Sequence, residues 1–243
     1  MFWEHWKNIS AQEKDAILVI QRGFNIVKKS IPAKEIVSIY TKGSFPRRQM
    51  AKGSDVDIVV ILKTSKYIPS LNSIGNRTYN ESDKLPLEIR GYALSELKTG
   101  KRLKTISSRT PPELFVKTLP FHQLLFGKDL KTEKLVTSSN RQDLKGMIHI
   151  VEKGFLPRYK QGTFPFHELA KQVFWLADNE LRLKGITPPI QWRDLSKFYD
   201  KNHIVQDALR YREQSQKNID KKRFVKRIEL YCKSLKNELN KLQ

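Results

Sequence analysis

Two aspartates, Asp55 and Asp57, stand two residues apart at the head of the apolar run Val56-Asp57-Ile58-Val59-Val60-Ile61-Leu62. On a strand, side chains at i and i+2 point to one face, so both carboxylates project together. Two anions held that close are unfavourable unless a cation joins them. Oxygen-only ligands of this kind suit Mg²⁺, which keeps waters and shares its shell with phosphates. Glu88 lies in a second apolar segment, Leu87-Glu88-Ile89, where a charge needs a partner. If the two segments pair side by side, Glu88 completes a metal site. Upstream, Gly43-Ser44 follows the β-branched run Ile36-Val37-Ser38-Ile39-Tyr40-Thr41. Glycine lets backbone approach a phosphate closely. The amides and the Ser44 hydroxyl can bind phosphate oxygens at the start of an expected helix. Arg47, one turn into that helix, can add charge-assisted contacts.

The elements that must position these groups are readable in outline. Residues 10–30 form an amphipathic helix, opened by a Ser10/Glu13 capping box and closed at Ile31-Pro32, with Ile17, Ile20, Phe24 and Val27 at helical spacing. Strands are expected at 36–41, 55–62 and 85–94, with a last one at 123–127. Residues 66–84, rich in Ser, Asn, Gly and Pro, read as a loop. A short helix is expected at 95–104, and Pro111-Pro112 opens another. From about residue 140 helical patterns take over, at 141–153, 166–184, 192–198 and 218–242. The boundary falls within 128–140, where Thr137-Ser138-Ser139-Asn140 supplies a linker.

The stretch from Gly43 to Ile58, with Gly-Ser, about ten residues and then Ser54-Asp55-Val56-Asp57-Ile58, resembles the signature of the polymerase β-like nucleotidyltransferase superfamily. Arg47 and Ser54 fall where minimal and antibiotic nucleotidyltransferases carry Arg and Ser. Pro46 and Arg48 depart from the pattern and leave the acidic pair intact. The likeness spans residues 10–130. It implies an α+β chain: a nucleotidyltransferase domain at 1–135, built on a mixed sheet flanked by helices, then an all-α domain at 136–243. It further implies Asp55, Asp57 and Glu88 as catalytic metal ligands, with Glu81 and Asp83 as nearby rivals for the third acid. Gly43, Ser44, Arg47 and Ser54 would bind nucleotide. Two Mg²⁺ ions and an NTP would be used, with attack at the α-phosphorus transferring a nucleoside monophosphate. The second half has a looser likeness to the helical domain of kanamycin-type relatives, in which a Glu acts as general base. Glu152 is the nearest counterpart, with Glu168 behind it. Kanamycin-type relatives also make a homodimer an expectation.

Composition bounds the partners. In 243 residues, 46 Lys+Arg against 25 Asp+Glu give a net charge of +21, shared by both halves of the chain. Such a field attracts polyanions and favours an RNA acceptor, tRNA-like, as well as a triphosphate. A protein hydroxyl and an aminoglycoside are the alternative acceptors, the latter disfavoured because it is itself a cation. A non-catalytic RNA-binding protein on a decayed scaffold is the rival class. One cysteine, Cys232, excludes an internal disulfide and a Cys-rich zinc site. The five histidines show no metal-ligand spacing, and His167 reads as an ordinary core or surface residue. No apolar run of membrane-spanning length and no signal-peptide pattern is present, so a soluble, cytoplasmic protein is expected.

Overall fold

The computed structural model describes residues 1–50, 53–80, 85–103, 110–213 and 220–241. The chain divides into two compact units, Met1–Thr137 and Ser138–Gln243.

The first unit opens with a 3₁₀ turn, Phe2–His5, and helix α1, Ala11–Ser30. The capping box is present: Glu13 N–H donates to Ser10 Oγ at 3.2 Å, and Ser10 N–H donates to Glu13 Oε2 at 2.8 Å. Strands β1 (Ile36–Lys42), β2 (Val56–Leu62), β3 (Leu87–Ala93) and β4 (Gln123–Gly127) form one sheet in the order β3-β2-β1-β4. β1 runs antiparallel to β2 and β4, whereas β2 and β3 are parallel. A parallel pair needs a crossover, and helix α2, Ile68–Asn80, supplies it. The loop expected at 66–84 is corrected accordingly over its described part. Ile68, Leu71 and Ile74 recur every third residue and are buried, so tertiary packing overrides the Ser- and Asn-rich composition. Glu81 and Asp83 lie outside the described residues.

Every residue of β2 is buried, as suits a central strand covered on both faces. One face carries Val56, Ile58, Val60 and Leu62 against Ile20 and Val27 of α1. The other carries Val59 and Ile61 with Tyr40, Tyr92, Phe115 and Leu119. Helices α3 (Leu94–Thr99) and α4 (Pro112–Thr118) complete this unit. Gly100, left-handed at φ +69°, closes α3 before the expected residue 104, which is itself not described.

The second unit is all helical. α5 (Asn140–Ile150) continues through a π-helical turn, Val151–Phe155, into α6 (Leu156–Lys160). α7 (Phe166–Leu183), α8 (Trp192–Ser196), α9 (Ile204–Glu213) and α10 (Lys221–Lys241) follow. α9 is an addition to the expected set. Both ends expected for α10, Asn218 and Leu242, lie outside the described residues. α7 is the apolar centre, with Leu169, Val173, Leu176 and Ala177 inaccessible to solvent. One polar knot is buried with it. The Glu180 carboxylate accepts from the hydroxyls of Tyr199 and Tyr231 and pairs with Lys184 Nζ at 2.5 Å.

No described helix is long and apolar enough to cross a membrane.

Candidate active site

Parallel pairing of β2 and β3 sets Asp57 directly beside Glu88. Antiparallel pairing of β1 and β2 sets Lys42 on the other side of Asp57. His122 immediately precedes β4, whose Gln123 pairs with Thr41, so the continuing ladder brings His122 next to Lys42. Residues in register on neighbouring strands share a face. One row, Glu88–Asp57–Lys42–His122, therefore crosses all four strands at the end of the apolar face built on Tyr40 and Val59.

The row is electrostatically knit. Lys42 Nζ lies 3.2 Å from Asp57 Oδ1. Arg90, two residues along β3 from Glu88 and on its face, donates to Glu88 Oε1 from Nε at 2.9 Å and from Nη2 at 2.8 Å. Burial, and then the adjacent Asp57 carboxylate, hold the Glu88 carboxyl above the usual range; Lys42 and Arg90 oppose this. Burial pushes the Lys42 ammonium down, but Asp57 and Glu88 outweigh it and hold the group above the ordinary lysine range.

Asp55 precedes the first ladder residue of β2, Val56, and is half-buried. The strand thus begins one residue later than expected, and Asp57 alone of the two aspartates lies within the ladder. Among the described residues no three acidic, histidine or cysteine side chains converge as a ready ligand set. Asp57 and Glu88 are the pair that meets. Their donor chemistry fits a hard divalent ion whose remaining shell comes from water and nucleotide phosphate.

The phosphate-binding candidates lie on a turn, not on the expected helix. Residues 43–48 form consecutive turns, with Arg48 N–H donating to Phe45 O at 2.9 Å and Gln49 N–H to Ser44 O at 2.9 Å. Pro46, and Arg48 in the left-handed region at φ +56°, stop a helix from propagating. The helix-N-terminus reading of Gly43-Ser44 is therefore corrected to a tight turn. Gly43 is left-handed at φ +82°, and a Cβ there would run into the Asp57 carboxylate. Ser44 Oγ is buried and has no hydrogen-bond partner. Ser54, half-buried, follows Gly53, which is left-handed at φ +85°. Arg47 rests over the Phe121 ring with Cζ 5.8 Å from its centroid.

Arg48 serves the turn rather than a phosphate. Its guanidinium donates to Glu13 Oε1 at 3.0 Å and to the carbonyls of Lys7 and Asn8 at 3.1 and 2.9 Å, and it lies over the Trp6 ring. Buried Phe45 packs among Phe2, Trp3 and Trp6. The chain's first residues thereby brace residues 45–48, and the two tryptophans are part of that brace.

Lys42 and His122 are site residues that sequence reasoning missed. Their only local signals are adjacency to Gly43 and to the start of a strand. His122 is 4 % exposed, lies tilted against the Phe115 ring with centroids 5.1 Å apart, and leaves its buried Nδ1 without a partner. Burial, then the charges of Lys42 and Arg47, push it down to about 3, against a weaker opposing pull from Asp57. The folded state thus keeps His122 neutral while the unfolded chain takes up a proton near the ordinary value of 6.5. Stability is fully present above that value and is lost as pH falls towards the folded value, by up to about 1.4 kcal/mol per pH unit. His122→Phe, measured by denaturant unfolding between pH 7 and 4, is expected to flatten this acid limb. An unchanged slope would contradict the assignment.

Glu152 sits on the π-helical turn of the second unit and pairs with Lys236 Nζ at 2.5 Å. Glu168 faces Lys171 and His167, and His167 is largely exposed.

Residues 21–111 match the family model described as a nucleotidyltransferase domain. No curated protein sequence matches the chain. Among solved structures, a spectinomycin adenyltransferase from Enterococcus faecialis, determined with ATP and spectinomycin, is similar at a TM-score of 0.62 and 13 % identity, over 92 % of this chain and 99 % of that one. A nucleotidyltransferase-like protein from Exiguobacterium sibiricum aligns at 14 % identity over 91 % of this chain and 74 % of that one, with a TM-score of 0.29. The likeness at a TM-score of 0.62 is one of fold, and it takes in the helical unit as well as the sheet. Residues 21–111 thus carry a nucleotidyltransferase domain, on the mixed sheet that holds the acidic row.

Proposed function

We propose that the protein moves a nucleoside monophosphate from an NTP to a hydroxyl of an RNA acceptor, in a reaction that requires a divalent metal. The observation that carries the chemistry is the in-register meeting of Asp57 and Glu88 beside the Gly43 turn, with the Ser44 hydroxyl buried and unpartnered. Asp57 and Glu88, joined by Asp55, would hold the metal, Mg²⁺ in the expected case. A bound divalent ion acidifies the acceptor hydroxyl and neutralises charge on the leaving pyrophosphate.

The chain's own groups then divide the remaining work. The Gly43 backbone comes close to the triphosphate because it carries no side chain. Ser44 Oγ donates to a phosphate oxygen, and Arg47 and Ser54 line the same stretch. Glu88 would either complete the metal shell or, as a carboxylate, take the proton from the acceptor hydroxyl. Glu152 is the alternative base; π-helical turns concentrate at functional sites, but it must first give up Lys236. Glu152→Gln slows transfer only under that alternative.

Ser44→Ala is expected to weaken nucleotide binding by roughly 10- to 100-fold, the value of one charge-assisted hydrogen bond. Stability should hold or rise, because the hydroxyl has no partner in the folded protein. Nucleotide titration and thermal unfolding of the variant check both halves of this expectation.

The RNA acceptor rests on charge. The net charge is +21, and exposed Lys221, Lys222, Arg223, Lys226, Lys233 and Lys236 line α10. The helical unit would present the acceptor. The spectinomycin-bound neighbour favours a second reading, a small aminocyclitol acceptor. Incubation with each α-labelled NTP, Mg²⁺ and either cellular RNA or spectinomycin separates the two. Label in RNA supports the first reading; label in the antibiotic alone replaces it with the second.

A further inference from the structure

The acidic row contains a cation of its own. Lys42 closes β1, immediately before Gly43-Ser44, and its ammonium sits on Asp57 Oδ1 at 3.2 Å. Asp57 is therefore flanked on two sides, by Glu88 across β2–β3 and by Lys42 across β2–β1. On the Glu88 side two carboxylates meet, a donor pair suited to a divalent ion, with Arg90 held on Glu88 Oε1. The Lys42 side faces the phosphate-binding turn, since Gly43 and Ser44 are the next residues of the chain. A second divalent ion for the triphosphate would need Asp57 as a ligand on the side that the ammonium already contacts. On its far flank the neighbour in the ladder is the buried His122. Its hold on Asp57 is thus fixed by the order of the row. An ammonium is a compact point charge with three donors, able to touch a carboxylate and a phosphate oxygen together.

We propose that Lys42 takes the place of the second divalent ion, pairing with Asp57 and receiving the triphosphate, so that the site loads one divalent ion per chain rather than two. This rests on the nucleotidyltransferase reading and narrows it.

The test counts ions rather than turnover. Mn²⁺ is titrated into the protein with one equivalent of αβ-methylene-ATP, which cannot transfer its nucleotide, and free Mn²⁺ is followed by electron paramagnetic resonance. Wild type is expected to retain one Mn²⁺ per chain. Lys42→Met, which keeps length and removes charge, is expected to retain two, and Lys42→Arg again one. Two ions on wild type, or one on Lys42→Met with unchanged affinity, would overturn the proposal and leave the nucleotidyltransferase reading standing. Retention of no Mn²⁺ with this analogue or with its CTP, GTP and UTP counterparts would remove both. If Lys42→Met fails to fold by circular dichroism, the wild-type count alone decides.

Discussion

Asp57→Asn is expected to lower nucleotidyl transfer by at least about three orders of magnitude while leaving the protein folded. The magnitude follows from the side chain's place in the row. Asp57 lies in register with Glu88 on one side and pairs with Lys42 on the other, so on the proposed reading it joins the metal ligands to the phosphate side. Loss of one preorganised electrostatic group costs about 10²- to 10³-fold, and on the proposed reading the same change also removes a metal ligand. The fold should survive because the ladder uses the Asp57 backbone, whose carbonyl accepts from Thr41 Oγ1 at 3.0 Å whichever side chain is present. The Lys42 ammonium keeps Glu88 as a partner, and Glu88 is relieved of a like charge. A melting temperature within about 5 °C of wild type, with activity lost, fits this account. Retained activity would show that Asp57 is not a ligand.

Gly43→Ala should damage the candidate site more than any other single methyl added beside the acidic row. It meets two independent penalties. The backbone at φ +82° is one that an L side chain adopts at a cost of about 1–2 kcal/mol. The new Cβ also collides with the Asp57 carboxylate, which is wedged between Glu88 and Lys42 and has little room to retreat. Displacing a catalytic group by about 1 Å can cost 10²-fold in rate. The expected result is therefore a fall in kcat/KM of about 10²-fold or more, together with a lower melting temperature. Gly53→Ala is the control. It shares the positive φ, but a Cβ there meets nothing within 4 Å, so it should lose stability without comparable loss of activity.

What the sequence revealed, and what it hid, divides along sequence separation. The stretch from Gly43 to Ile58 was legible because its chemistry is local: a glycine turn and a strand-borne carboxylate at fixed spacing. β2, β3 and β4 were legible as apolar runs, and α1 through its Ser10/Glu13 box. α2 is hidden because Ser70 and Ser73 lie exposed and Gly75 serves close packing on β3, while Ile68, Leu71 and Ile74 gain their meaning only against β3. The turn after Ser44 is not readable as such in the local sequence because its shape depends on Arg48, whose side chain is held by Glu13, Lys7 and Asn8 some 35 to 41 residues earlier. Lys42 and His122 carry only the weak local signals of adjacency to Gly43 and to the start of β4. Their role comes from register across four strands, and a lysine before a glycine or a histidine after a phenylalanine is otherwise unremarked.

The central claim is transfer of the α-phosphoryl group with its nucleoside, and paired labels test it most directly. The protein is incubated with Mg²⁺, cellular RNA and spectinomycin, and with NTP labelled at either the α- or the γ-phosphate; Asp57→Asn serves as the control. The account predicts that wild type places α-label in an acceptor, that γ-label leaves only as pyrophosphate, and that the variant does neither. Entry of γ-label into the acceptor, or α-label transfer undiminished in Asp57→Asn, would contradict it.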